Sequence, residues 1–596
     1  MSDNYLGIDV DYSRDNLFDI LGIKRLQESY MKEDESSPQQ RFAFVSKQFG
    51  SNPEHAQRLY EYSSKHWLSY STPILSFGRS ARGLPISCFL PYLHDSSAGL
   101  VDTLSEVNWL SMLGGGVGLG IGIRSADDKS VGVMPHLRTY DASSLAYRQG
   151  RTRRGSYAAY LDISHPDIAI FLDMRKPTGD PNMRAMNLHH GINIPDSFMQ
   201  IIENCMKDPT ANDDWELKDP HNGEVREVVS AKLLWQQILD LRMHTGEPYL
   251  HFIDTSNRMM PQFQKDLGLS IKQSNLCSEI ILPTDKDRTA VCCLSSLNLE
   301  YYDAWKNHPT FLRDIAEMLD NVLQYFIDNA SDSISRARYS AERERSIGVG
   351  ALGFHAYLQQ QKIPFEGAIA KSLNNEIFNH IRSGLDVANY ELGSIRGEAP
   401  DAIGTGRRFS HMLAIAPNAS SSIIMGNTSP SIEPYRANAY RQDTLSGSFL
   451  NKNKYLEQLL RSKPLTDEEI QEVWSSIIAN DGSVQHLNFL DEWEKDVFKT
   501  SMEIDQRWII EHAADRQKYI DQAQSLNVFF RPDSNVKYIH AVHFLAWKLG
   551  LKTLYYCRSE KLAKADKVSK KVERVIMQEI DLMAIADGDV CLACEG

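Results

Sequence analysis

The sequence predicts an α/β protein that begins with a helical region. Apolar residues recur at helical spacing between Asp15 and Trp67, and short β-rich runs alternate with longer amphipathic stretches from Thr72 onward. Alternating strands and helices are typical of a sheet that is covered by helices. A lysine-rich segment follows Glu560, so we predict three regions: a helical region at 1–70, an α/β domain at 71–560 and a C-terminal segment at 561–596.

The individual elements follow from the spacing of apolar side chains. A period near 3.6 residues indicates a helix, and β-branched runs between turn residues indicate strands. The predicted strands are residues 133–137, 192–194, 279–282 and 549–558, and the predicted helices are 104–113, 231–245, 309–329 and 572–583. The last of these helices lies in a C-terminal tail that we predict to be mobile.

Glycines alternate with apolar residues between Gly114 and Gly122. A strand with this pattern has one bare face and one apolar face, so a ligand or another backbone must approach the bare face closely. The glycines do not fit the Gly-x-Gly-x-x-Gly register, and the segment before them has a helical pattern. We therefore reject a Rossmann dinucleotide site here.

Composition and charge limit the function classes. With 42% hydrophobic residues, 24% charged residues and a net charge of −14, the sequence is typical of a globular protein with a large core, and it disfavours binding to long nucleic acids. The first residues lack the basic start and apolar stretch of a secretory signal, and no apolar run approaches the ~20 residues of a membrane span. We expect a cytoplasmic protein that does not contact membranes. Eight cysteines are too few for a disulfide scaffold of this length.

An amide, a thiol and a carboxylate stand two residues apart at Asn275, Cys277 and Glu279. In an extended segment these three side chains would share one face. A buried cysteine with polar neighbours would show the same pattern, because cysteine is among the most buried residues. The motif by itself leaves both interpretations open.

Other motifs make the pattern specific. Cys88 ends the run Gly-Leu-Pro-Ile-Ser-Cys, Cys292 begins Cys-Cys-Leu-Ser, and Tyr555 and Tyr556 end Lys-Thr-Leu-Tyr-Tyr. In this order, together with Asn275-x-Cys277-x-Glu279, the motifs resemble those of ribonucleotide reductases of class I, in their large catalytic subunit. The resemblance covers about 72–558 and the tail, and it implies a ten-stranded α/β barrel with the radical cysteine on an interior loop.

The resemblance also implies a role for each residue. Cys277 would carry the thiyl radical, Glu279 would accept the 3′-hydroxyl proton and Asn275 would bind the substrate. Cys88 and Cys292 would be the pair that forms a disulfide in each turnover. If their segment is a strand, Cys293 lies on the face opposite Cys292; we interpret Cys293 and Cys205 as structural.

Two further pairs have roles by resemblance. Tyr555 and Tyr556 would pass the radical from a separate metal-containing small subunit, whereas two tyrosines in a strand are otherwise more often packing residues. The tail cysteines Cys591 and Cys594 resemble half of a zinc site and also a redox dithiol, and we favour the dithiol because no second ligand pair lies nearby. We predict no metal ligands and no covalent cofactor in this chain.

A substrate diphosphate is expected at two segments. Pro417-Asn418-Ala419-Ser420-Ser421 resembles a helix start, which favours an anion but is also what an ordinary N-cap looks like. Thr72 would complete the cradle by resemblance, and Gly116 corresponds to the family's substrate glycine, since it lies twenty-eight residues after Cys88. The full set of expected substrate residues is Thr72, Ser87, Cys88, Gly116, Asn275, Leu276, Cys277, Ser278, Glu279, Pro417, Asn418, Ala419, Ser420 and Ser421.

Regulation and partners complete the expectations. The basic loop around Gln149 and Arg154 resembles the loop that couples a dNTP or ATP effector to substrate choice, and Asp95 and Arg124 would be its partners at the effector site. The chain has little room before Thr72 for an ATP-cone, so we predict specificity control without a dATP activity switch. Expected partners are the small subunit, a thioredoxin- or glutaredoxin-type reductant, ribonucleoside diphosphates and a second copy in a homodimer, to which residues 100–113 would contribute a helix unless that helix is part of the core.

Three rivals remain. A cobalamin-dependent reductase needs no tyrosine dyad, a non-enzymatic nucleotide-binding regulator would not need the cysteines, and a glycyl-radical reductase would require a C-terminal glycine motif that is absent from this sequence.

Overall fold

A computed structural model describes residues 3–79, 83–147, 155–444 and 447–559. Gln149, Arg154, Cys591, Cys594 and the predicted helix at 572–583 lie outside the described residues. None of the described helices is both long enough and apolar enough to cross a membrane.

The strands are short and most of them lie in one sheet. In chain order they are β1 Asp3–Tyr5, β2 Ile8–Val10, β3 Leu68–Tyr70, β4 Cys88–Leu90, β5 Tyr92–His94, β6 Gly116–Gly122, β7 Ser156–Asp162, β8 Leu188–Ile194, β9 Asp214–Lys218, β10 Val225–Ser230, β11 Tyr249–Phe252, β12 Ala290–Asn298, β13 Ile347–Leu352, β14 Ala439–Thr444, β15 Gly447–Lys452, β16 Val528–Phe530, β17 Thr553–Leu554 and β18 Cys557–Ser559.

Helices precede, follow and cover the strands. They are α1 Ile20–Ser29, α2 Pro38–Phe49, α3 Pro53–Ser64, α4 Thr72–Leu75, α5 Ser97–Met112, α6 Val133–Ala146, α7 Ile168–Asp173, α8 Asp196–Lys207, α9 Ala231–Thr245, α10 Ile253–Arg258, α11 Gln262–Asp266, α12 Tyr302–Trp305, α13 Phe311–Asn329, α14 Ser335–Glu344, α15 Phe354–Gln360, α16 Ala368–Arg396, α17 Ala419–Ile424, α18 Lys454–Ser462, α19 Asp467–Ala479, α20 Glu492–Val497, α21 Gln506–Gln517 and α22 Val536–Lys548. Short 3-10 helices lie at Tyr12–Leu17, Pro181–Met183, Leu299–Tyr301, Asp332–Ile334 and Pro400–Ala402.

The main sheet is a curled, ten-stranded sheet in the order β13-β12-β4-β6-β7-β8-β11-β17, with β3 paired to β12 and β5 paired to β6. Its two ends are joined through irregular segments. Val349 of β13 bridges Leu413, and Ile415 bridges Gln524. The Tyr555 amide, which follows β17, then donates to the Leu526 carbonyl at 2.9 Å. The sheet is thereby closed into the barrel that the resemblance implies.

Most sequence predictions agree with these elements. Helix α9 spans the predicted 231–245, α13 begins two residues after the predicted start, and β6 occupies the glycine-rich segment. Helices α1 to α3 form the N-terminal helical region, although the hairpin β1–β2 precedes them.

Three predicted strands were wrong. Residues 133–137 belong to helix α6, where tertiary packing outweighs the β preference of valine. Residues 279–282 have no strand pairing because they run inside the barrel. The predicted strand at 549–558 is two short strands, β17 and β18, and Tyr555 and Tyr556 lie in the break between them.

Candidate functional site

The barrel encloses a second buried cluster that is separate from the main core. It contains the predicted radical and redox cysteines and both tyrosines of the dyad. Its members are Cys88, Leu90, Ala158, Tyr160, Tyr249, Leu276, Cys277, Ile280, Leu282, Ala290, Cys292, Leu294, Ala414, Ala416, Tyr555 and Tyr556. The outer face of the sheet instead packs on the main core, as the opposite-facing Cys293 does.

An irregular segment, residues 273–284, occupies the centre of the barrel against the bare face of β6. A Cβ atom on Gly118 would stand 2.2 Å from the Ser274 carbonyl oxygen, and one on Gly120 would stand 2.4 Å from the Gln273 amide oxygen. The predicted close approach of another backbone to the glycine face is therefore confirmed. Ser278 has φ of 69°, a left-handed conformation that turns the segment sharply.

The turn around Cys277 is held by side chains from several strands. The Tyr160 hydroxyl donates to the Asn275 carbonyl at 2.7 Å, and the Thr553 hydroxyl donates to the Ser278 carbonyl at 2.7 Å. The Asn275 side-chain oxygen accepts from the Ile280 amide at 3.1 Å, which closes the turn on itself. The prediction that Asn275, Cys277 and Glu279 share one face of an extended segment was wrong, since these residues form a turn.

The two predicted redox cysteines face each other across neighbouring strands. Cys292 of β12 is the register partner of Cys88 of antiparallel β4, and Cys88 is in turn the partner of Gly116 on β6. The Asn275 side-chain amide lies 4.0 Å from Cys88 Sγ. Burial raises the pKa of the Cys292 thiol well above its usual value. Directly opposed strand positions lie within the Cα separation that a disulfide spans.

Cys293 and Cys205 lie away from this pair. Cys293 points to the main core, where its thiol contacts the Leu319 carbonyl at 3.4 Å, as predicted from strand alternation. Cys205 is a buried residue of α8, and its thiol lies 3.9 Å from the Ala211 carbonyl.

Glu279 and Cys277 are both linked to one hydroxyl. Ser525 Oγ donates toward the Cys277 carbonyl and lies 3.0 Å from Glu279 Oε2. The Ala523 amide donates to the Glu279 carbonyl at 2.9 Å. Segment 522–526 therefore fixes both residues relative to each other, and it also contributes Gln522, whose amide nitrogen lies 3.4 Å from Cys292 Sγ.

Three aromatic side chains continue from Cys277 toward the surface. The Tyr555 hydroxyl lies 3.6 Å from Cys277 Sγ. The ring centroids of Tyr555 and Tyr556 are 4.3 Å apart, and Tyr249 lies 4.7 Å from the first ring and 5.1 Å from the second. Burial raises the pKa of both Tyr249 and Tyr556. Phenols in this environment keep their protons at neutral pH.

Charged groups border the outer end of this chain. The Arg558 guanidinium lies 4.1 Å from the Tyr556 ring centroid, and His189 Nδ1 lies 3.4 Å from the Tyr556 hydroxyl. His189 also contacts Glu247 at 2.6 Å. Burial opposes ionisation of Glu247, but Arg175 and His189 outweigh it and lower the pKa of Glu247 well below its usual value. A permanent carboxylate thus orients the histidine beside Tyr556.

The residues expected at the diphosphate lie on segments that pack beside β12. Strand β3 pairs with β12 and leads directly into Thr72 at the start of α4. The Ser296 hydroxyl of β12 donates to the Asn418 side chain at 3.1 Å. Asn418 has φ of 53° and precedes α17, which contains Ser420. Four residues of strand, or about 13 Å, separate Ser296 from Cys292.

The other expected substrate residues lie before β4, beside Cys277 or near the start of α17. Ser87 directly precedes β4, and its carbonyl accepts from the Gly116 amide at 2.6 Å. Leu276 and Ser278 are buried beside Cys277. Pro417 is half-buried, Ala419 is exposed and Ser421 is buried.

Two of the expected effector residues form an ion pair outside the barrel. Asp95 follows β5 and Arg124 follows β6, and because these strands are parallel neighbours their ends lie side by side. Arg124 Nε donates to Asp95 Oδ2 at 2.8 Å.

One group of potential metal ligands, His55, Asp314 and Glu317, occurs among the described residues. Arg58 donates to both Asp314 oxygens at 2.7 and 2.8 Å, and Arg396 donates to Glu317 at 2.8 Å. Cations of the protein already neutralise these carboxylates, so the group is an ion-pair network.

Sequence reasoning missed the residues that position the site. Gln522, Ser525, Tyr160 and Tyr249 belong to none of the motifs, and Thr553 was not singled out. Thr553 lies inside Lys-Thr-Leu-Tyr-Tyr, which is the one signal that pointed toward it. The others come from distant parts of the chain.

Comparisons with known proteins agree with this geometry. A model of the ribonucleotide reductase barrel domain matches residues 86–402 and 399–557, and a model of the ribonucleotide reductase all-alpha domain matches residues 16–83. A ribonucleoside-diphosphate reductase large subunit of Invertebrate iridescent virus 3 is 56% identical over 94% of this chain and 97% of the relative. The Caenorhabditis elegans large subunit is 32% identical over 98% of this chain and 82% of the relative.

The solved structures include a similar fold. The Actinobacillus ureae class Id ribonucleotide reductase alpha subunit superposes with a TM-score of 0.80 at 34% identity, covering 91% of this chain and 98% of that one. With both domain models matched in order over most of its length, the chain belongs to the ribonucleotide reductase large-subunit family.

Proposed function

We propose that this chain reduces ribonucleoside diphosphates to 2′-deoxyribonucleoside diphosphates by thiyl-radical chemistry. The observation that carries the proposal is that the Cys277 thiol lies 3.6 Å from the Tyr555 hydroxyl and in the same buried cluster as the opposed cysteines Cys88 and Cys292. The named activity of the relatives supports the substrate class. The direct test is reduction of CDP with dithiothreitol and a candidate small subunit.

The proposal assigns a role to each reacting group. The Cys277 thiyl radical takes the 3′-hydrogen atom, and the Glu279 carboxylate accepts the 3′-hydroxyl proton. The 2′-hydroxyl is a poor leaving group until the neighbouring carbon carries the radical; it then leaves as water with a proton from the Cys88–Cys292 pair. That pair supplies two electrons and the hydrogen that C2′ gains, and it becomes a disulfide. Glu279 then returns its proton to the 3′-oxygen, and Cys277 returns the hydrogen atom to C3′. Asn275 holds the substrate hydroxyls beside Cys88.

The radical enters through Tyr556 and Tyr555 in this proposal. Their ring spacing and the 3.6 Å contact of Tyr555 with Cys277 support a relay from outside the barrel. The oxidising equivalent would come from a metal-containing small subunit, as expected for class I. A cobalamin-dependent reductase would generate its radical on site and would not require Tyr556.

The remaining partners follow from the same assignment. Cys591 and Cys594 would reduce the Cys88–Cys292 disulfide and then be reduced by a thioredoxin- or glutaredoxin-type protein. Thr72 and residues 417–421 would hold the diphosphate. A dNTP or ATP effector would bind near Asp95, Arg124, Gln149 and Arg154, and the chain would act as a homodimer. The exposed Val101 and Trp109 on α5 support a helix that contributes to such a dimer.

The redox pair predicts a single-turnover limit. Without dithiothreitol, and in a Cys591→Ser, Cys594→Ser background that removes the tail dithiol, pre-reduced Cys88→Ser or Cys292→Ser protein is expected to form no dCDP. The same background with Cys88 and Cys292 intact forms up to one equivalent per chain, because only the intact pair can supply both electrons. Cys205→Ser is the matched control and should retain the parent amplitude. Formation of dCDP by either pair variant at the parent amplitude would contradict the assignment.

The raised pKa of Cys292 adds a pH dependence to that measurement. A thiol with a raised pKa keeps its proton at pH values where an ordinary cysteine begins to ionise, near 8.5. The amplitude of single-turnover dCDP formation should therefore be the same at pH 7.0 and pH 8.5, both values lying below the pKa of Cys292. A fall in amplitude toward pH 8.5 would show that the thiol ionises in the ordinary range.

Ser525 is expected to position Glu279. Ser525→Ala removes the hydroxyl that joins the Glu279 carboxylate to the Cys277 carbonyl, so we expect kcat for CDP to fall about tenfold with little change in KM. Ser501→Ala, at another buried serine, serves as the control. An unchanged kcat in Ser525→Ala would show that Ser525 does not position Glu279 for the reaction.

A further inference from the structure

Helix α1 of the N-terminal region touches both segments that we assign to the substrate diphosphate. Arg25 Nη2 donates to the Ser420 hydroxyl at 2.9 Å. At the end of the same helix, the Tyr30 and Thr72 hydroxyls are hydrogen-bonded at 3.3 Å. Helix α1 and the residue that caps its end therefore contact both segments: Ser420 in α17 and Thr72 at the start of α4.

This contact is built into the packing of α1. A Cβ atom on Gly22 would lie 3.1 Å from the Ile423 carbonyl, so a glycine lets α1 approach α17 closely. Asp19 caps the start of α1 by accepting from the Gly22 amide at 2.6 Å. The end is fixed by buried Arg41, which donates to the Tyr30 carbonyl at 3.1 Å. Arg25 is thus presented to Ser420 by a helix held at both ends.

The charge of Arg25 distinguishes it from the residues that we expect to bind the diphosphate. Thr72, Asn418, Ser420 and Ser421 offer hydroxyl and amide groups without formal charge, whereas a diphosphate carries several negative charges. A guanidinium is permanently charged and matches phosphate oxygens with two parallel N–H groups. Partial burial keeps such an interaction from being fully screened by salt.

We propose that Arg25 binds the substrate diphosphate, so that the N-terminal helical region completes the substrate site of the barrel. The inference rests on the proposed function, because it uses Thr72 and Ser420 as the phosphate-binding segment. Arg25 then selects diphosphates over uncharged nucleosides by charge. The hydrogen bond to Ser420 keeps its guanidinium beside the expected phosphate-binding segment before substrate binds.

The test compares binding of CDP with binding of cytidine by equilibrium dialysis, using the full chain. Arg25→Gln removes the charge but keeps an amide donor for Ser420, and Arg25→Lys keeps the charge. We expect Arg25→Gln to lose at least about tenfold in CDP affinity with cytidine affinity unchanged, and Arg25→Lys to recover part of that loss. Arg14→Gln is the matched control, because Arg14 pairs with Glu61 elsewhere in the same region.

Equal CDP-to-cytidine affinity ratios in the parent and in Arg25→Gln would overturn the proposal and leave Arg25 as a residue that only docks α1. This ratio does not depend on the fraction of folded protein, so a destabilised variant still gives an answer. Steady-state turnover adds a second readout: KM for CDP should rise while kcat at saturation stays within about twofold. If the parent binds CDP but does not reduce it, the proposed function fails while the Arg25 comparison remains valid.

Discussion

Cys277→Ser is expected to abolish CDP reduction, with a loss of at least about 10³-fold in kcat. A serine hydroxyl in place of the thiol cannot form a radical that abstracts the 3′-hydrogen under these conditions, and the change removes the thiol that lies 3.6 Å from the Tyr555 hydroxyl. The measurement is dCDP formation by the full chain with dithiothreitol and the small subunit. Substrate binding should persist, because the hydrogen bonds that hold the turn come from Asn275, Ser278 and Tyr160.

Cys293→Ser is the matched control for this experiment. Cys293 is a buried residue of β12 that faces the main core. Its replacement therefore tests how much turnover falls when a buried thiol is lost but the proposed radical carrier is kept. We expect Cys293→Ser to lower stability while the folded fraction keeps its turnover. Turnover by Cys277→Ser at a level comparable with this control would refute the assignment of the thiyl radical.

Tyr556→Phe is expected to reduce CDP turnover to background, because phenylalanine preserves the ring but has no hydroxyl to oxidise. The change removes the 3.4 Å contact with His189 and leaves the packing against Tyr249 and Tyr555. The loss should appear in kcat rather than in CDP binding, since the dyad lies beyond Cys277 from the proposed diphosphate segment. Rapid-quench dCDP formation with the small subunit measures it.

Tyr140→Phe is the control, since Tyr140 is a buried tyrosine of α6 away from the barrel interior. Loss in both Cys277→Ser and Tyr556→Phe would support the thiyl chemistry and the external radical route together. Loss only in Cys277→Ser would favour the cobalamin-dependent alternative, and addition of adenosylcobalamin without the small subunit would then be expected to support turnover.

The sequence predicted the chemical groups better than their conformation. The cysteines and tyrosines are recognisable because each lies in a short motif, and strand alternation correctly separated Cys292 from Cys293. The turn at Ser278 was missed because its conformation is imposed by Tyr160 and Thr553, which are remote in sequence. Local spacing cannot reveal a loop that is stabilised only by the barrel around it.

The same reason explains the missed positioning residues and the single strand that was wrongly predicted at 549–558. Ser525 and Gln522 acquire a role only when segment 522–526 is placed beside Glu279 and Cys292. The break between β17 and β18 lets Tyr555 and Tyr556 face the interior cluster, although their sequence reads as one continuous strand. The glycine-rich strand was predictable because missing side chains are visible in the sequence itself.

The separation of the interior cluster from the main core bears on how long an unpaired electron can survive. Cys88, Cys277 and Cys292 have no exposed surface, and Tyr555 and Tyr556 are only 4% and 8% exposed. For the radical that we propose at Cys277, the barrel wall would therefore be a shield against dissolved oxygen and small reductants in the solvent.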